Sequence, residues 1–205
     1  GFNVLHTAAA RVGALDIGFT ANGVDAILNH SGKLKVVFLA GADDISTKAL
    51  ADTFTVYVGS HGDHGVAHAD VILPAAAYAE KPGTWVNMEG RVQRGYRAVF
   101  APGEAREDWS IYRALSDVLG VTLPYDNIDA LGARIAGEWP HLGNEGLTAS
   151  AWGDCGGDAQ LEGGAIRLPV TNFYTTNAIA RASETMAECV AQILNGHEPA
   201  LQAAE

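Results

Sequence analysis

Residues 35–59, KVVFLAGADDISTKALADTFTVYVG, contain two apolar runs that decide the fold class. The first run, residues 35–40, joins β-branched, aromatic and aliphatic side chains and ends at Gly41. The second run, residues 53–58, is similarly rich in β-branched and aromatic residues and ends at Gly59. Continuous runs like the first, bounded by glycine, are typical of a central parallel strand that is buried on both faces.

The segment between the two runs predicts a short helix, because Asp44 or Ser46 can cap it and it can continue through Ala51. A third strand is predicted at residues 70–74, DVILP, after a turn rich in glycine and histidine. Strand, helix, strand, loop and strand within about forty residues is typical of a parallel sheet with right-handed crossovers. The sequence therefore predicts an α/β fold, a Rossmann-like parallel sheet with flanking helices.

The other elements are predicted from hydrophobic periodicity and from glycine and proline breaks. We expect two parts, an α/β domain at residues 1–125 and a mainly helical and irregular C-terminal extension at residues 126–205. Helices are predicted at residues 3–14, 24–29, 107–119, 128–139 and 178–194, an extended hairpin at 84–100, and a loop or linker at 141–168.

Composition and charge exclude several function classes. The chain has 205 residues, of which 18% are charged, with a formal net charge of −11 and a pI near 4.9. The negative electrostatic field of such a chain would repel a nucleic-acid backbone or an anionic lipid surface. No apolar run approaches the roughly 20 residues that span a bilayer, so no direct membrane insertion is expected. The chain begins with Gly1 rather than Met, and we expect a fragment of a longer protein.

Two cysteines, Cys155 and Cys189, bear on redox chemistry. Their spacing matches no ligand motif, and an iron–sulfur cluster needs about four thiolates. They also do not form the disulfide framework that is typical of small secreted domains. We expect two buried thiols in a reducing compartment.

The turn at residues 59–70, GSHGDHGVAHAD, is the most conspicuous candidate site. His64 and His68 are spaced so that they could share one face of a helix, as metal ligands do. The glycines would break such a helix, and no separate motif supplies a third ligand. A tight polar turn is the favoured interpretation, and a metal site is the alternative. Further potential ligands in the turn are His61, Asp63 and Asp70.

Two loops that follow predicted strands raise the question of phosphate binding. Gly59, Gly62 and Gly65 do not have the G-x-G-x-x-G spacing of a dinucleotide loop, and no long helix follows them. The other loop ends in Asp43 and Asp44, at the carboxyl end of the first strand, where α/β sheets commonly place ligands. Its two carboxylates would repel a pyrophosphate and could occupy a helix N-terminus themselves. Nucleotide binding is the less favoured interpretation of both loops.

The sequence contains no recognisable set of catalytic residues. No Ser/His/Asp or Cys/His set shows a nucleophile elbow or another local signature. An acid–base pair could be assembled from Glu80, Asp108 and the histidines, but no pattern favours it. Trp109 and Tyr112 recur at helical spacing, which indicates core packing. We therefore assign no catalytic, cofactor-binding or metal-binding residue to this chain.

One long stretch carries a family resemblance. It begins with ADVILP at residues 69–74 and resembles the A-D-V-x-L-P … E-x-x-G-T-x-x-N-x-E-G-R-x-Q signature of the molybdopterin oxidoreductase superfamily. The matching positions that follow are Glu80, Lys81, Gly83, Thr84, Asn87, Glu89, Gly90, Arg91 and Gln93.

A second stretch resembles one branch of that superfamily, the large iron–sulfur subunit of NADH:quinone oxidoreductase, respiratory complex I. It consists of AREDW at residues 105–109, RALS at 113–116 and LPYD at 123–126. The remaining matches are residues 3–6, 12–16, 172–174 and 180–186, so that only about 141–168 lie outside the resemblance.

The resemblance implies which cofactors to expect. The family places its iron–sulfur clusters, of the 4Fe-4S and 2Fe-2S types, in an N-terminal region that this chain lacks. The matching domain of complex I is generally thought to hold no molybdenum cofactor, whereas active superfamily members usually carry a G-x-N-P-type loop after the first strand. Residues 41–44 read GADD instead, and this departure indicates a vestigial site without a cofactor.

The resemblance also implies structural roles for the motif residues. Gly83, Gly90 and Gly95 are expected to permit backbone conformations that other residues resist. Asp70 is expected to cap the third strand or to form an ion pair at its start. The residues expected to fix the extended segment by hydrogen bonds are Glu80, Asn87, Arg91 and Gln93.

The function that the resemblance implies is a non-catalytic scaffold in the peripheral arm of an enzyme that passes electrons from NADH through FMN and iron–sulfur clusters to quinone. The partners would be other peripheral-arm subunits, on the cytoplasmic side of a bacterial inner membrane or the matrix side of the mitochondrial one. One alternative is the C-terminal part of a molybdopterin oxidoreductase such as formate dehydrogenase, which usually continues into a β-barrel domain. The other is a free-standing α/β binding module, which the charge-poor composition disfavours.

Overall fold

A computed structural model describes residues 6, 8, 11–19, 23–29, 33–43, 50–62, 64–149, 153, 157, 163–165 and 170–196. The helices and strands in chain order are α1 (Arg11–Asp16), α2 (Gly23–Leu28), β1 (Val36–Ala40), β2 (Phe54–Gly59), β3 (Val71–Pro74), β4 (Gly83–Val86), β5 (Val92–Gly95), α3 (Asp108–Val118), α4 (Ile128–Glu138), α5 (Ala178–Arg181) and α6 (Glu184–Cys189). Short 3-10 segments lie at Val66–His68, Pro140–Gly143 and Phe173–Thr175, and a π-helical segment lies at Val190–Leu194.

The parallel sheet has the order β1-β2-β3, which confirms the α/β fold. Val36 of β1 is paired with Phe54 of β2, and Val56 of β2 with Val71 of β3. All three predicted strands are confirmed within one residue at each end. The predicted helix after the first strand lies outside the described residues apart from Leu50, which is buried, and Ala51, which is an exposed turn residue.

The central strand β2 is more deeply buried than the first strand β1. Four consecutive residues of β2, from Thr55 to Val58, are buried, as a strand covered on both faces requires. Within the part of the chain that the structure describes, the prediction that the first strand is central and buried on both faces is wrong. Val36 and Phe38 are 47% and 42% exposed, because β1 has a neighbour on one side only among the described strands and its outer face is only partly covered.

The two faces of the sheet have separate apolar clusters. On one face, Val37, Leu39 and Tyr57 pack with Leu50 and with Ile27 of α2. On the other face, the cluster is built on β2 and is partly covered by α3. Its members are Val56, Val58 and Ala75, with Leu73, Ile111 and Tyr112 packed against them.

The predicted hairpin is confirmed as β4 paired antiparallel with β5. Gly90 in its turn has φ +80°, as its predicted conformational role requires. Gly83 and Gly95 are paired with each other within the strands and do not have a positive φ, so the predicted conformational role is wrong for these two glycines. Their small size matters instead, because a Cβ on Gly95 would lie 2.8 Å from Nε1 of Trp85.

The C-terminal region departs from its prediction at two points. The predicted helix 178–194 is interrupted after Arg181, because Ser183 caps a new helix by accepting a hydrogen bond from the Met186 N–H at 3.4 Å. The predicted linker is ordered at its start, where Leu142 is buried and Gly146 forms a β-bridge with Val92. The division at residues 125/126 stays a prediction.

Several other predictions are settled only in part. The helices predicted at 24–29, 107–119 and 128–139 are confirmed within one residue at each end. Half of the helix predicted at 3–14 lies outside the described residues, and α1 covers its last four residues and continues to Asp16. Cys189 is a free and partly buried thiol, and Cys155 lies outside the described residues. Within the described ranges, no helix has the length and apolar character needed to cross a membrane.

Candidate functional site

The carboxyl edge of the sheet is the place where an α/β fold usually binds a ligand. At the end of β1, Gly41 has φ +66° and its N–H donates to the Val58 carbonyl at 2.7 Å. The chain turns there in a conformation that favours glycine, and two residues later Asp43 is only 1% exposed. A carboxylate therefore lies buried at the position of a potential ligand crevice.

The buried carboxylate is held by two donors from distant parts of the chain. Nη2 of Arg181 donates to Oδ1 of Asp43 at 2.6 Å, and the Gly65 N–H donates to Oδ2 at 3.4 Å. The Arg181 side chain is 17% exposed, and its Nη1 also donates to the Thr175 carbonyl at 3.5 Å. Because removing two charges from water is costly, such a pair persists only with good geometry and further hydrogen bonds. The ion pair therefore closes the crevice with a residue of α5.

The glycines of the turn after β2 are used for close packing. A Cβ on Gly65 would lie 2.8 Å from Cβ of Asp43 and 3.0 Å from Cδ2 of Tyr57. A Cβ on Gly62 would lie 2.7 Å from Cγ2 of Val66, and one on Gly59 would lie 2.5 Å from the Tyr57 hydroxyl. Only a 3-10 segment, Val66–His68, follows these glycines. The turn thus lacks the glycine cradle and long helix of a phosphate-binding loop.

Two histidines of this turn can be placed, His61 by its contacts and His68 by its position in the 3-10 segment. The Tyr57 hydroxyl donates to the His61 carbonyl, and His61 Nδ1 lies 3.0 Å from Oγ of Ser60. His68 ends the 3-10 segment, so it does not share a regular α-helical face with His64. No group of three or more His, Cys, Asp or Glu side chains arranged for a metal ion occurs in the described part of the chain, which omits Asp63.

Asp70 has the capping role that the motif implies. Its Oδ2 accepts a hydrogen bond from the Thr55 N–H at 2.7 Å, and its own N–H donates to the Thr55 carbonyl at 2.9 Å. These bonds join the start of β3 to β2. The carboxylate therefore extends the parallel ladder by one position.

The two carboxylates considered for acid–base chemistry have partners of their own. Oε2 of Glu80 accepts from the Ala77 N–H at 2.8 Å and closes a turn. Asp108 forms an ion pair with Lys81. Both contacts fix the chain between β3 and α3, and neither carboxylate is placed against a nucleophile or a histidine by them.

The Asn87 side chain holds the motif residues of the hairpin turn together. Oδ1 of Asn87 accepts hydrogen bonds from the N–H groups of Glu89 and Arg91, each at 3.0 Å. Arg91 also lies 3.5 Å from Glu89 in an ion pair. The predicted hydrogen-bonding roles of Asn87 and Arg91 are confirmed. Glu80 fixes the turn before the hairpin instead, and the role of Gln93 stays a prediction.

Arg113 makes a clamp that the sequence did not predict, although the residue stands in the second motif. Its Nε donates to the Tyr125 carbonyl at 3.0 Å, and Nη2 contacts Asp126 at 2.8 Å. Nη1 contacts Asp117 at 2.6 Å, and the hydrogen bond that the guanidinium donates to the Asp117 carboxylate raises the pKa of Arg113. A hydrogen bond from Thr122, with that from Arg113, lowers the pKa of the Asp117 carboxyl. The clamp fixes the LPYD segment against α3.

Comparison with known families agrees with this geometry. The model of the molybdopterin oxidoreductase family matches residues 1–118, more than half of the chain. This chain belongs to the molybdopterin oxidoreductase family. Residues 147–189 match a second family model, which describes the C-terminal region of the G-type subunit of NADH-ubiquinone oxidoreductase and covers the segment that carries Arg181.

Similar proteins come from the same branch. The mitochondrial NADH-ubiquinone oxidoreductase 78 kDa subunit of Candida albicans is 43% identical over 202 residues, covering 93% of this chain and 27% of that protein. The 75 kDa subunit of Reclinomonas americana is 44% identical over 198 residues, 92% of this chain and 28% of that protein. The Neurospora crassa 78 kDa subunit is 42% identical over 201 residues, 93% of this chain and 27% of that protein. The chain thus spans less than three tenths of the length of these relatives.

The family name implies a molybdopterin group, and the residues at the crevice do not fit it. Asp43 places a buried carboxylate where an anionic group would have to lie, and Arg181 already neutralises that carboxylate. Gly65 is in close contact with Asp43 and Tyr57 and cannot open a cradle without a shift of the turn. Among the residues that the structure describes at this edge, which omit 44–49 and Asp63, the buried pair and the closely packed turn therefore do not fit an anionic pterin group.

Proposed function

We propose that this chain is the C-terminal, non-catalytic scaffold part of the large iron–sulfur subunit of NADH:quinone oxidoreductase. The similarity to the 75 and 78 kDa subunits over nine tenths of the chain supports the assignment to that enzyme. The whole enzyme would pass electrons from NADH to quinone, with its clusters held in parts of the subunit outside this chain. This chain would carry no cofactor, metal ion or catalytic residue.

The observation that carries the scaffold role is the closed crevice. The buried pair of Asp43 and Arg181 occupies the ligand position of the fold with protein atoms. On the other side of the crevice, the Tyr57 hydroxyl donates to the His61 carbonyl, and Gly65 leaves no room for a Cβ beside Asp43 and Tyr57. A site filled in this way contributes rigidity rather than binding capacity.

The proposal has consequences for partners and location. The chain would contact other subunits of the peripheral arm of the enzyme and would not insert into the bilayer. Two of the three relatives are mitochondrial by name, which supports a mitochondrial or bacterial respiratory enzyme as the setting. The chain would lie on the matrix side of the inner membrane for a mitochondrial source and on the cytoplasmic side for a bacterial one.

The experiment that tests the scaffold role measures the amount of assembled enzyme separately from its activity. Asp43→Asn is introduced into the full-length subunit in its host, and Arg134→Gln serves as the control because its ion pair with Glu138 is exposed. The amount of assembled enzyme is measured on native gels, and NADH:quinone activity is measured per assembled enzyme. We expect Asp43→Asn to lower the amount and to leave the specific activity unchanged. A normal amount with a lowered specific activity would contradict the proposal.

A further inference from the structure

A large apolar groove lies on the second face of the sheet, beside α3. Its volume is about 980 Å³. The groove, here named the α3 groove, is lined on the sheet side by Val36, Phe38, Phe54 and Val71, and on the helix side by Val118 and Leu119. All six side chains are exposed in the structure. Contiguous exposed apolar surface of this kind marks an interaction site.

The residues that the structure describes in the two connections of the sheet, which omit 44–49 and Asp63, pack away from this groove. Leu50 from the β1–β2 connection and Val66 from the β2–β3 connection both pack on the opposite face, against Val37 and Tyr57. Right-handed crossovers in one direction along a sheet place their connections on one face only. The α3 groove therefore has to be covered by chain that lies outside these two crossovers.

The helix that does reach this face covers only part of it. Ile111 and Tyr112 of α3 pack over β2, and the Tyr112 ring meets Phe38 edge-on with 6.2 Å between centroids. Val118 and Leu119 at the end of the helix have no such cover and are 83% and 69% exposed. Parallel sheets are normally covered by helices on both faces. We therefore expect a further helix to occupy the space beside α3.

The relatives indicate which part of a chain can supply that helix. Only 27–28% of each relative's length is matched by this chain, and the matching model at residues 147–189 is a C-terminal one. Most of each relative therefore precedes the matched region. β1 is the first described strand and lies at the edge of the sheet, next to the groove. Elements that are close in sequence usually pack close in space, which favours the chain upstream of β1 as the source.

We propose that the α3 groove seats an amphipathic helix from the upstream part of the same subunit, packed beside α3 and over β1. The inference rests on the proposed function, since it requires the longer subunit. Its apolar face contacts Phe38, Phe54 and Val118, and its polar face completes the surface of the domain.

The first test uses the full-length subunit in the assembled enzyme. Phe38 is replaced by a photoreactive phenylalanine analogue, and Phe100 receives the same analogue as the control because it is exposed and outside the groove. After irradiation, mass spectrometry identifies the cross-linked peptides. We expect position 38 to cross-link to an upstream peptide of its own subunit and position 100 not to do so. A cross-link from position 38 to another subunit or to a second copy of the chain would overturn the proposal.

A second measurement decides the case in which no cross-link forms. Val118→Cys and Phe100→Cys are made in a background with Cys155 and Cys189 replaced by Ser, and maleimide labelling is followed in the assembled enzyme. We expect labelling at 118 to be at least about ten-fold slower than at 100, since a covered thiol reacts only on local opening. Equal rates would show an open groove and overturn the inference. Failure of the subunit to enter the enzyme at all, even without substitutions, would instead contradict the proposed function.

Discussion

Arg181 and Asp43 form a buried ion pair across 138 positions of sequence, with 2.6 Å between Nη2 and Oδ1. Asp43 follows the first strand of the sheet, and Arg181 ends α5 near the C-terminus. The pair joins the C-terminal region to the ligand edge of the sheet and closes that edge. This contact links the match to the molybdopterin oxidoreductase family at residues 1–118 with the C-terminal match at 147–189.

Breaking the ion pair from either side is expected to destabilise the chain strongly. Asp43→Asn removes the Asp43 charge from a buried ion pair with Arg181, and breaking such a pair from one side costs about 3–5 kcal/mol of the free energy of unfolding. Arg181→Gln breaks the same pair from the other side and is expected to cost a similar amount. The double variant should lose less than the sum of the two, with a coupling of about 1–3 kcal/mol in urea denaturation. Additive losses would show that the two side chains do not interact.

The matched control for that cycle is an exposed pair in α4. Arg134 and Glu138 are also joined by an ion pair, at 2.7 Å, but each side chain is 44% exposed. Glu138→Gln should therefore change the free energy of unfolding by about 0.5 kcal/mol or less, since water and salt screen the pair.

Substitutions of two glycines separate packing from backbone effects. Gly65 has φ −65° and ψ −37°, which alanine adopts without strain, but a Cβ there would lie 2.8 Å from Cβ of Asp43. Gly65→Ala is expected to cost about 1–3 kcal/mol from overpacking. A Cβ on Gly137 in α4 would meet nothing within 4 Å, so Gly137→Ala should stabilise by up to about 1 kcal/mol through helix propensity. Thermal unfolding of both variants checks the opposite signs, and a neutral Gly65→Ala would contradict the close packing of the crevice.

The carboxyl of Asp117 predicts a pH-dependent contribution to stability. Hydrogen bonds from Thr122 and then Arg113 lower its pKa below the ordinary value of 3.8. Because the folded-state pKa lies below the unfolded one, the stabilisation is complete above the unfolded value and is lost as the pH falls through the folded pKa. Asp117→Asn should therefore be less stable than the parent at pH 7, and the difference should vanish in acid.

A variant of the donor provides the control for this pH effect. Thr122→Val removes the hydrogen bond that lowers the pKa of Asp117 most, at 2.7 Å from Oδ1. NMR titration of the Asp117 carboxyl carbon should then give a pKa closer to 3.8. An unchanged titration curve would mean that Thr122 does not contribute to the depressed pKa.

The sheet and its strands could be predicted because their signal is local. The runs that became β1, β2 and β3 are continuous and end at glycine or proline, and that pattern depends on neighbours in sequence alone. The exposure of Val36 and Phe38 could not be predicted in the same way, because it depends on which elements cover the sheet. The break between α5 and α6 depends on whether Ser183 caps a helix or lies within one, a competition that periodicity does not resolve.

The candidate site was predictable only in its parts. Asp43 was recognised as a departure from the family loop, and Arg181 as part of a family motif, but a pair of residues 138 positions apart has no local signal. The spacing of Gly59, Gly62 and Gly65 argues against a phosphate loop but does not reveal their packing role, which depends on Tyr57, Val66 and Asp43 in the folded chain. Arg113 likewise belongs to a family motif, but its contacts with Asp117, Tyr125 and Asp126 could not be predicted from the sequence.

The central claim is that this chain is a scaffold without a molybdopterin group. The most direct test is the molybdenum and pterin content of the enzyme that carries the chain, purified anaerobically and expressed per large subunit. The account predicts that neither is present above background, because Asp43 and Arg181 fill the crevice. Molybdenum and pterin in a ratio near one to one with the subunit would contradict it.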